Sequence, residues 1–350
     1  MYFETINARV CADRLCGSIE MSEVVQYAKN AGHAILPYWP LAAVPIGLVG
    51  VSKLLSWLVP GAHNNPKFDL RDKTVLITGA SSGLGKALAF EFYKRGAKVI
   101  VTARSIDKLS QICAELEAAK AEFGWKNQHE PSYRYLDLSE LGDEASAREQ
   151  IDELKTLAID GKTIDVLVNN AGMSMRGGCI ETPIRIQRQL MDVNFFGHVL
   201  ITKLLYDSIP DDGAIVVTSS LQGKFAIPYR SAYSASKHAL QAFFDSLRAE
   251  DRPKLQILVV SAGYINTGFG SRALDAEGRQ MGREDENQKQ GMSPEYAAST
   301  IVKALVRRET ELIMAPCKHR LGITLRYFTP KLFNWILYKR GQADTHLKAS

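Results

Sequence analysis

Residues 231–240 read SAYSASKHAL, with Tyr233 and Lys237 four positions apart and only Ser, Ala and Ser between them. At that spacing two side chains share one face of a helix. An ammonium beside a phenol stabilises the phenolate and lowers a pKa that starts near 10, so the pair can give or take a proton close to neutral pH. Two further residues extend the device. Ser220 ends the run IVVTSS, 13 positions before Tyr233, where its hydroxyl could hold a carbonyl oxygen while Tyr233 transfers the proton. Asn194, in MDVNFFG, can anchor a water that links Lys237 to bulk solvent. A lone Tyr-x3-Lys is an ordinary surface pair. The ordered set Asn194, Ser220, Tyr233 and Lys237, behind a phosphate-binding turn, is not.

That turn is TGASSGLG, Thr78–Gly85, between an apolar run and a helical pattern. Gly79, Gly83 and Gly85 let the chain turn tightly and approach a phosphate, and the helix that follows offers free N–H groups and a positive dipole end. At the end of the second apolar run stands TARS. An NAD-type site places Asp or Glu here for the ribose 2′-OH, whereas Arg104 offers a guanidinium to a 2′-phosphate, so NADP is the expected cofactor. Asp137, in YLDLS, is placed to bond an adenine amino group, and NNAG, Asn169–Gly172, ends the fourth run at the ligand crevice.

The elements that must hold these residues alternate regularly. Short Val/Ile/Leu-rich runs at 74–79, 97–104, 132–139, 164–172, 213–220, 255–263 and 311–316 read as strands. Helical patterns separate them at 86–96, through 108–123, near 142–158, around 186–208 and at 232–250. Continuous rather than alternating apolar strands imply burial on both faces, hence a parallel sheet covered by helices: a doubly wound α/β domain. The polar, aperiodic stretch 264–292, the expected substrate loop, reads as either disordered or a functional lid. Ser293 and Pro294 then open a helix as N-cap and N1.

Composition bounds the rest. The chain has 350 residues, 46% apolar and 23% charged, which is ordinary for a globular protein with a sizeable core. Its formal charge of +5 suits anionic ligands or an anionic membrane surface and is too small for a nucleic-acid binder. The five scattered cysteines form neither a disulfide framework nor a zinc site, and no metal is expected. From Asn30 to Ser52 there is no Asp, Glu, Lys or Arg, and LLSWLVP follows Lys53. This run is long enough to span a bilayer or lie deep in one leaflet, with Tyr38, Trp39 and Trp57 as interfacial anchors. The expected organisation is a tail (1–29), a membrane anchor (30–59), a linker (60–71), one catalytic domain (72–317) and a basic amphipathic extension (318–350). That extension reads as a membrane-surface element, a cover for the substrate site or a core-packing helix. The distribution of Lys and Arg tilts the main domain toward the cytosol.

Between residues 71 and 263 the chain resembles the short-chain dehydrogenase/reductase family in its standard form, through TGASSGLG, NNAG, Asn194, Ser220 and YSASK. The resemblance implies a Rossmann-type fold, carbonyl/hydroxyl redox, a homodimer, and Asn194, Ser220, Tyr233 and Lys237 as catalytic tetrad. It implies cofactor contacts from Gly79, Ser81, Ser82, Gly83, Leu84, Gly85, Arg104, Asp137, Leu138, Asn170, Ala171, Gly172, Tyr233, Lys237, Gly263, Ile265 and Thr267. One departure is Ala262, where the family has proline before its conserved Gly. The segment SSLQGKFAIPYRSAYSASKHALQAFFDSLRAE, with SAGYINT and the N-terminal apolar run, is similar to the branch called dehydrogenase/reductase member 7 and its B form. That similarity implies a membrane-bound, NADPH-preferring reductase of a lipophilic carbonyl, at the endoplasmic reticulum or peroxisome. The substrate would be an acyl-dihydroxyacetone-phosphate-like lipid, a steroid or a retinoid. Oxidation of a hydroxysteroid or retinol with NADP+ uses the same residues, and a non-catalytic NADP-sensing adaptor is the competing class. Arg176 or Lys224 could meet an anionic headgroup, near Gln222, Phe225 and Tyr229.

Overall fold

The computed structural model describes residues 47, 50–52, 54, 55, 58–283 and 286–343. The chain divides into two units, Met1–Pro60 and Gly61–Ser350. Most of the expected anchor (30–59), all of the tail (1–29) and residues 344–350 lie outside the described residues. In the first unit, Val51, Leu54, Leu55 and Leu58 are helical and exposed. Among the described residues no helix is long and apolar enough to cross a membrane.

The second unit is built on seven strands. These are β1 (Thr74–Thr78), β2 (Lys98–Ala103), β3 (Ser132–Tyr135), β4 (Val166–Asn169), β5 (Ala214–Ser220), β6 (Gln256–Ala262) and β7 (Glu311–Met314). They pair in the order β3-β2-β1-β4-β5-β6-β7, every neighbour parallel. The chain reverses its direction of winding between β1 and β4, and ligands bind at that switch point, beyond the carboxyl ends of the strands.

The five inner strands β1, β2, β4, β5 and β6 are buried on both faces because each face is roofed, whereas the edge strands β3 and β7 are largely exposed or half-buried. Helices α1 (Gly83–Lys94) and α2 (Ile106–Phe123) share one core with Val75 and Ile77. The opposite core holds Leu76 under α3 (Glu144–Lys155); of the run from residue 184 to 208, residues 195–206 pack there, whereas Ile186 and Leu190 join a separate cluster with Tyr233. That run, expected as one helix, is broken in register. Helix α4 (Ile184–Met191) passes into a π-helical turn, Asp192–Phe196, and then into α5 (Gly197–Leu205). Helix α6 (Ser231–Arg248) carries Tyr233 and Lys237.

Three segments differ from the sequence expectation. Within the expected linker (60–71), residues 61–71 pack onto the domain, since Phe68 and Leu70 are buried and the Phe68 N–H donates to the Val306 carbonyl at 3.0 Å. Strand β3 stops at Tyr135, which leaves Asp137 in a loop at the strand end. The segment 264–292 is tied down rather than loose. Isolated bridges join Met175 to Leu274 and Ile265 to Met292, and helix α7 (Glu286–Lys289) closes it. Helix α8 (Pro294–Val306) starts as expected, with the Ser293 hydroxyl accepting from the Tyr296 N–H. Two amphipathic helices, α9 (Cys317–Phe328) and α10 (Pro330–Ala343), end the described chain. Cys179 and Cys317 are exposed free thiols and Cys113 a buried one.

Candidate active site

The β1–α1 turn is shaped by close backbone approach. Gly79 has φ 66°, and a Cβ there would stand 2.6 Å from the Ala171 Cα. A Cβ on Gly85 would stand 2.4 Å from the Gly79 carbonyl oxygen. Ser82 occupies the N-cap of α1 yet makes no side-chain capping bond, so the first-turn amides keep their donors for an anion. Thr78 stitches this turn to NNAG: its hydroxyl accepts from the Asn170 and Ala171 N–H groups at 3.0 Å each. The Asn170 amide donates to the Thr78 carbonyl at 2.9 Å. A cavity of about 450 Å³ follows the strand ends, and every residue expected to hold the cofactor lines it. Its length of polar backbone, left uncapped at one helix and too tight for a Cβ, fits a dinucleotide.

Arg104 follows β2 with an exposed guanidinium, 3.9 Å from the Asp137 carboxylate. Lys108, one helical turn further along α2, lines the same cavity. Asp137 accepts from the Ser139 N–H and hydroxyl at 2.9 and 2.7 Å, which fixes its loop. Lys86, by contrast, pairs with Glu115 at 2.5 Å. Ala262 keeps β6 hydrogen-bonding to its end, and the Gly263 N–H donates to the Met314 carbonyl at 2.8 Å.

The four residues expected to move protons gather where β4, β5 and α6 meet. Asn194 sits in the π-helical turn, fully buried, accepting from the Met173 N–H at 2.8 Å. Its amide donates to the Met173 carbonyl at 2.9 Å and the Ser236 hydroxyl at 3.0 Å. Register breaks of this kind in a helix cluster at functional sites. Lys237 donates to the Thr218 carbonyl at 2.9 Å, with its Nζ 6.0 Å from the Tyr233 ring centroid. Burial pushes its ammonium down to about 8. The Tyr233 phenol departs from the sequence expectation. Burial pushes it up from its ordinary value, opposed by the Ser220 hydrogen bond and by the charges of Arg176 and Arg230 rather than by Lys237.

A second cavity, of about 90 Å³, shares Ser220 and Tyr233 with the first. It is lined on its far side by Arg176, Arg230, Arg340, His319 and Phe225. Arg176 and Arg230 are buried, and Arg176 donates to the Ser174 hydroxyl at 2.7 Å and the Met175 carbonyl at 2.9 Å. Lys224, the other candidate for an anionic headgroup, turns away to pair with Glu311 at 2.6 Å.

The short chain dehydrogenase family matches residues 73–278. The chain belongs to that family. It is 42% identical to an Anopheles gambiae protein named dehydrogenase/reductase SDR family protein 7-like, over 87% of this chain and 95% of that one. It is 39% identical to dehydrogenase/reductase SDR family member 7B of Xenopus tropicalis, over 89% and 97% of the two chains. Among solved structures, an alcohol dehydrogenase of Thermococcus sibiricus complexed with 5-hydroxy-NADP superposes with a TM-score of 0.56 at 26% identity, covering 69% of this chain and 95% of that one. A short chain dehydrogenase of Shigella flexneri complexed with NADP gives a TM-score of 0.59 at 24% identity, over 70% and 98%, and shows the shared fold. This short-chain dehydrogenase is thus an oxidoreductase with a nicotinamide-cofactor site, and its cradle and Arg104 suit NADP.

Several residues of the dehydrogenase site carried no sequence signal. His198 is buried beneath NNAG, with Nε2 2.8 Å from the Ala171 carbonyl and Nδ1 3.1 Å from Asn169 Oδ1. Gln241 donates to the Ser219 hydroxyl at 2.9 Å and the Ser220 carbonyl at 3.2 Å, steadying the end of β5. Gln241 lies one helical turn beyond Lys237 on the face toward β5, a position that periodicity alone marks only as buried.

Proposed function

We propose that this chain is an NADPH-dependent reductase of a lipophilic ketone that carries an anionic group, an acyl-dihydroxyacetone-phosphate-like lipid in preference to a steroid or retinoid. The observation that carries the reading is the position of Tyr233 and Ser220. They stand where the dinucleotide cavity meets a second cavity lined by Arg176, Arg230 and Arg340. When bound, NADPH supplies the hydride. Ser220 holds the carbonyl oxygen and Tyr233 donates the proton to it. Burial keeps that phenol protonated, the state a general acid needs. Lys237 holds the cofactor ribose, and Asn194 fixes the backbone at Met173 beside it and supports the proton relay. A non-catalytic sensor needs neither Tyr233 nor Ser220.

Arginine is suited to an anionic group because its planar fork matches phosphate and carboxylate oxygens. The names of the relatives support a reductase or dehydrogenase without naming a substrate. The apolar run 30–59 supports a membrane location, at the endoplasmic reticulum or peroxisome with the catalytic domain cytosolic, and the family resemblance supports a homodimer.

The deciding experiment measures NADPH oxidation by wild type and Tyr233→Phe with a panel of lipophilic ketones, anionic and neutral. Loss of the general acid lowers turnover by about 10²–10⁴-fold. Equal rates for the two proteins sink the enzyme reading, and equal kcat/KM for anionic and neutral ketones sinks the substrate class.

A further inference from the structure

Helices α9 and α10 rest on the catalytic domain through a narrow inner stripe. Phe333 meets Phe225 with ring centroids 5.4 Å apart, and Arg340 donates to the Tyr264 hydroxyl at 3.1 Å. Tyr229 donates to the Gly341 carbonyl at 3.2 Å. The outer surface is of a different kind. On α10, Leu332, Trp335, Ile336 and Lys339 fall at i, i+3, i+4 and i+7, one face of the helix, and the three apolar members are exposed. On α9, Tyr327 and Phe328 are 71% and 82% exposed, with Leu321 exposed on the same helix. Exposed aromatic and aliphatic side chains concentrated on two adjoining helices, three of them on one face of α10, mark a docking surface.

Charge says what docks there. Residues 317–343 contain six Lys or Arg (318, 320, 326, 331, 339 and 340) and no Asp or Glu. Trp335 and Tyr327 are side chains with an apolar body and a polar edge, the type that settles at headgroup level. The Lys339 ammonium lies 5.9 Å from the Trp335 ring centroid, so cation and aromatic face share one patch. A second copy of the chain is disfavoured, because a two-fold interface would set these cations against themselves.

We propose that the α9–α10 hairpin lies on an anionic lipid bilayer, with its exposed Tyr327, Phe328, Trp335 and Ile336 in the interface and Lys331 and Lys339 among the headgroups. The hairpin also supplies His319 and Arg340 to the second cavity, so docking brings the substrate side of the active site to the membrane. Basic helices with an apolar face bind this way through buried apolar area together with attraction to anionic lipid. The docking stands on the surface alone. The loading of a lipophilic ketone from the bilayer rests on the reductase reading above.

The test uses the full chain with vesicles of phosphatidylcholine, with or without phosphatidylserine, whose acyl chains are brominated. The emission of Trp335 is taken as the difference between wild type and Trp335→Phe. Docking predicts quenching of that emission in phosphatidylserine vesicles, weakened by salt. The double variant Lys331→Glu/Lys339→Glu should reduce the quenching about tenfold while NADPH binding persists. Unchanged Trp335 emission in brominated anionic vesicles overturns the proposal. So does Trp335 shielded in lipid-free protein by self-association that Ile336→Glu disrupts. Quenching that survives while no ketone is reduced leaves the docking and removes the reductase reading. Quenching lost in Ile336→Glu with unchanged turnover of a vesicle-borne ketone removes the loading route.

Discussion

The two halves of the active-site cleft are built by different means. The cofactor half hangs on the ends of β1, β2, β4, β5 and β6, and its side chains are bonded to those strands. Thr78 bonds NNAG, Lys237 bonds the Thr218 carbonyl, and Ser220 donates to the Ala262 carbonyl at 3.4 Å. The substrate half is assembled from the loops after β4 and β5, the segment 264–292, and helices α9 and α10, with Arg176, Arg230 and Arg340 as its charged lining. A parallel sheet gives one half fixed geometry, and loops and terminal helices give the other half freedom to vary. Chemistry in such a fold is set by the sheet and specificity by what is laid over it.

The largest effect should come from disturbing the rigid half. Ala at Gly85 places a Cβ 2.4 Å from the Gly79 carbonyl oxygen, 2.5 Å from the Asn170 amide nitrogen and 2.9 Å from the Ala80 Cα. Two of those three neighbours are backbone and cannot step aside. Gly85→Ala should weaken NADPH binding by about a hundredfold, the upper part of the 1–3 kcal/mol cost of overpacking. Fluorescence titration of the bound nicotinamide measures it. Binding unchanged within error would mean that the turn is not the phosphate cradle.

Arg104 tests the cofactor half at its most exposed point. A hydrogen bond to a charged group contributes about 1.5–3 kcal/mol, and Asp at this position would also repel a phosphate. Arg104→Asp should therefore weaken NADPH by about tenfold to a hundredfold and leave NADH within a few-fold. Lys108 borders the same cavity, so residual discrimination in Arg104→Asp should fall further in Arg104→Asp/Lys108→Ala. Equal losses for the two cofactors would show that Arg104 acts through the fold, by way of its pairing with Asp137.

How far each half could be read from the sequence follows the same division. Strands buried on both faces leave unbroken apolar runs, so the sheet and its winding were legible from residues such as Val75, Leu76 and Ile77. The phosphate turn was legible because close backbone approach requires glycine, and Tyr233 and Lys237 because helical spacing places them together. The π-helical turn around Asn194 was not, since a one-residue register break leaves the apolar pattern nearly intact. Arg230 and Arg340 were not singled out because they lie 110 residues apart in sequence and meet only when α10 folds back over the cavity. The direction of the Tyr233 shift was missed for a related reason. Spacing shows that Lys237 is near, but it shows neither the burial of the phenol nor that the lysine is bonded to the Thr218 carbonyl.

Arg176 carries the comparison into the substrate half. Arg176→Met keeps an unbranched apolar stem and removes the guanidinium and its charge. It should raise KM for an anionic ketone by about tenfold, the worth of one charged hydrogen bond, and change KM for a neutral ketone little. Removing that charge also lets the Tyr233 phenol rise further, because Arg176 is one of the groups that hold it down. The alkaline limb of the kcat profile should then move to higher pH. Equal loss for both ketones would make Arg176 a structural residue of the loop after β4.

The last effect joins stability to the cofactor half. Burial and the charge of Lys237 push the His198 imidazole from its ordinary 6.5 down to about 3. Because the folded value lies below the unfolded one, the unfolded chain binds the extra proton throughout that window. The favourable contribution is full above pH 6.5 and is lost as pH falls toward 3. Stability should decline by about 1.4 kcal/mol for each pH unit below 6.5 from this residue alone. Replacing His198 by Gln keeps an amide that can donate to the Ala171 carbonyl and removes the titration. Urea unfolding of wild type and His198→Gln between pH 7.5 and 5 should therefore give curves that converge as pH falls. Parallel curves would mean that the imidazole stays equally accessible to protons in both states. The neutral ring would then not be what holds NNAG against β1.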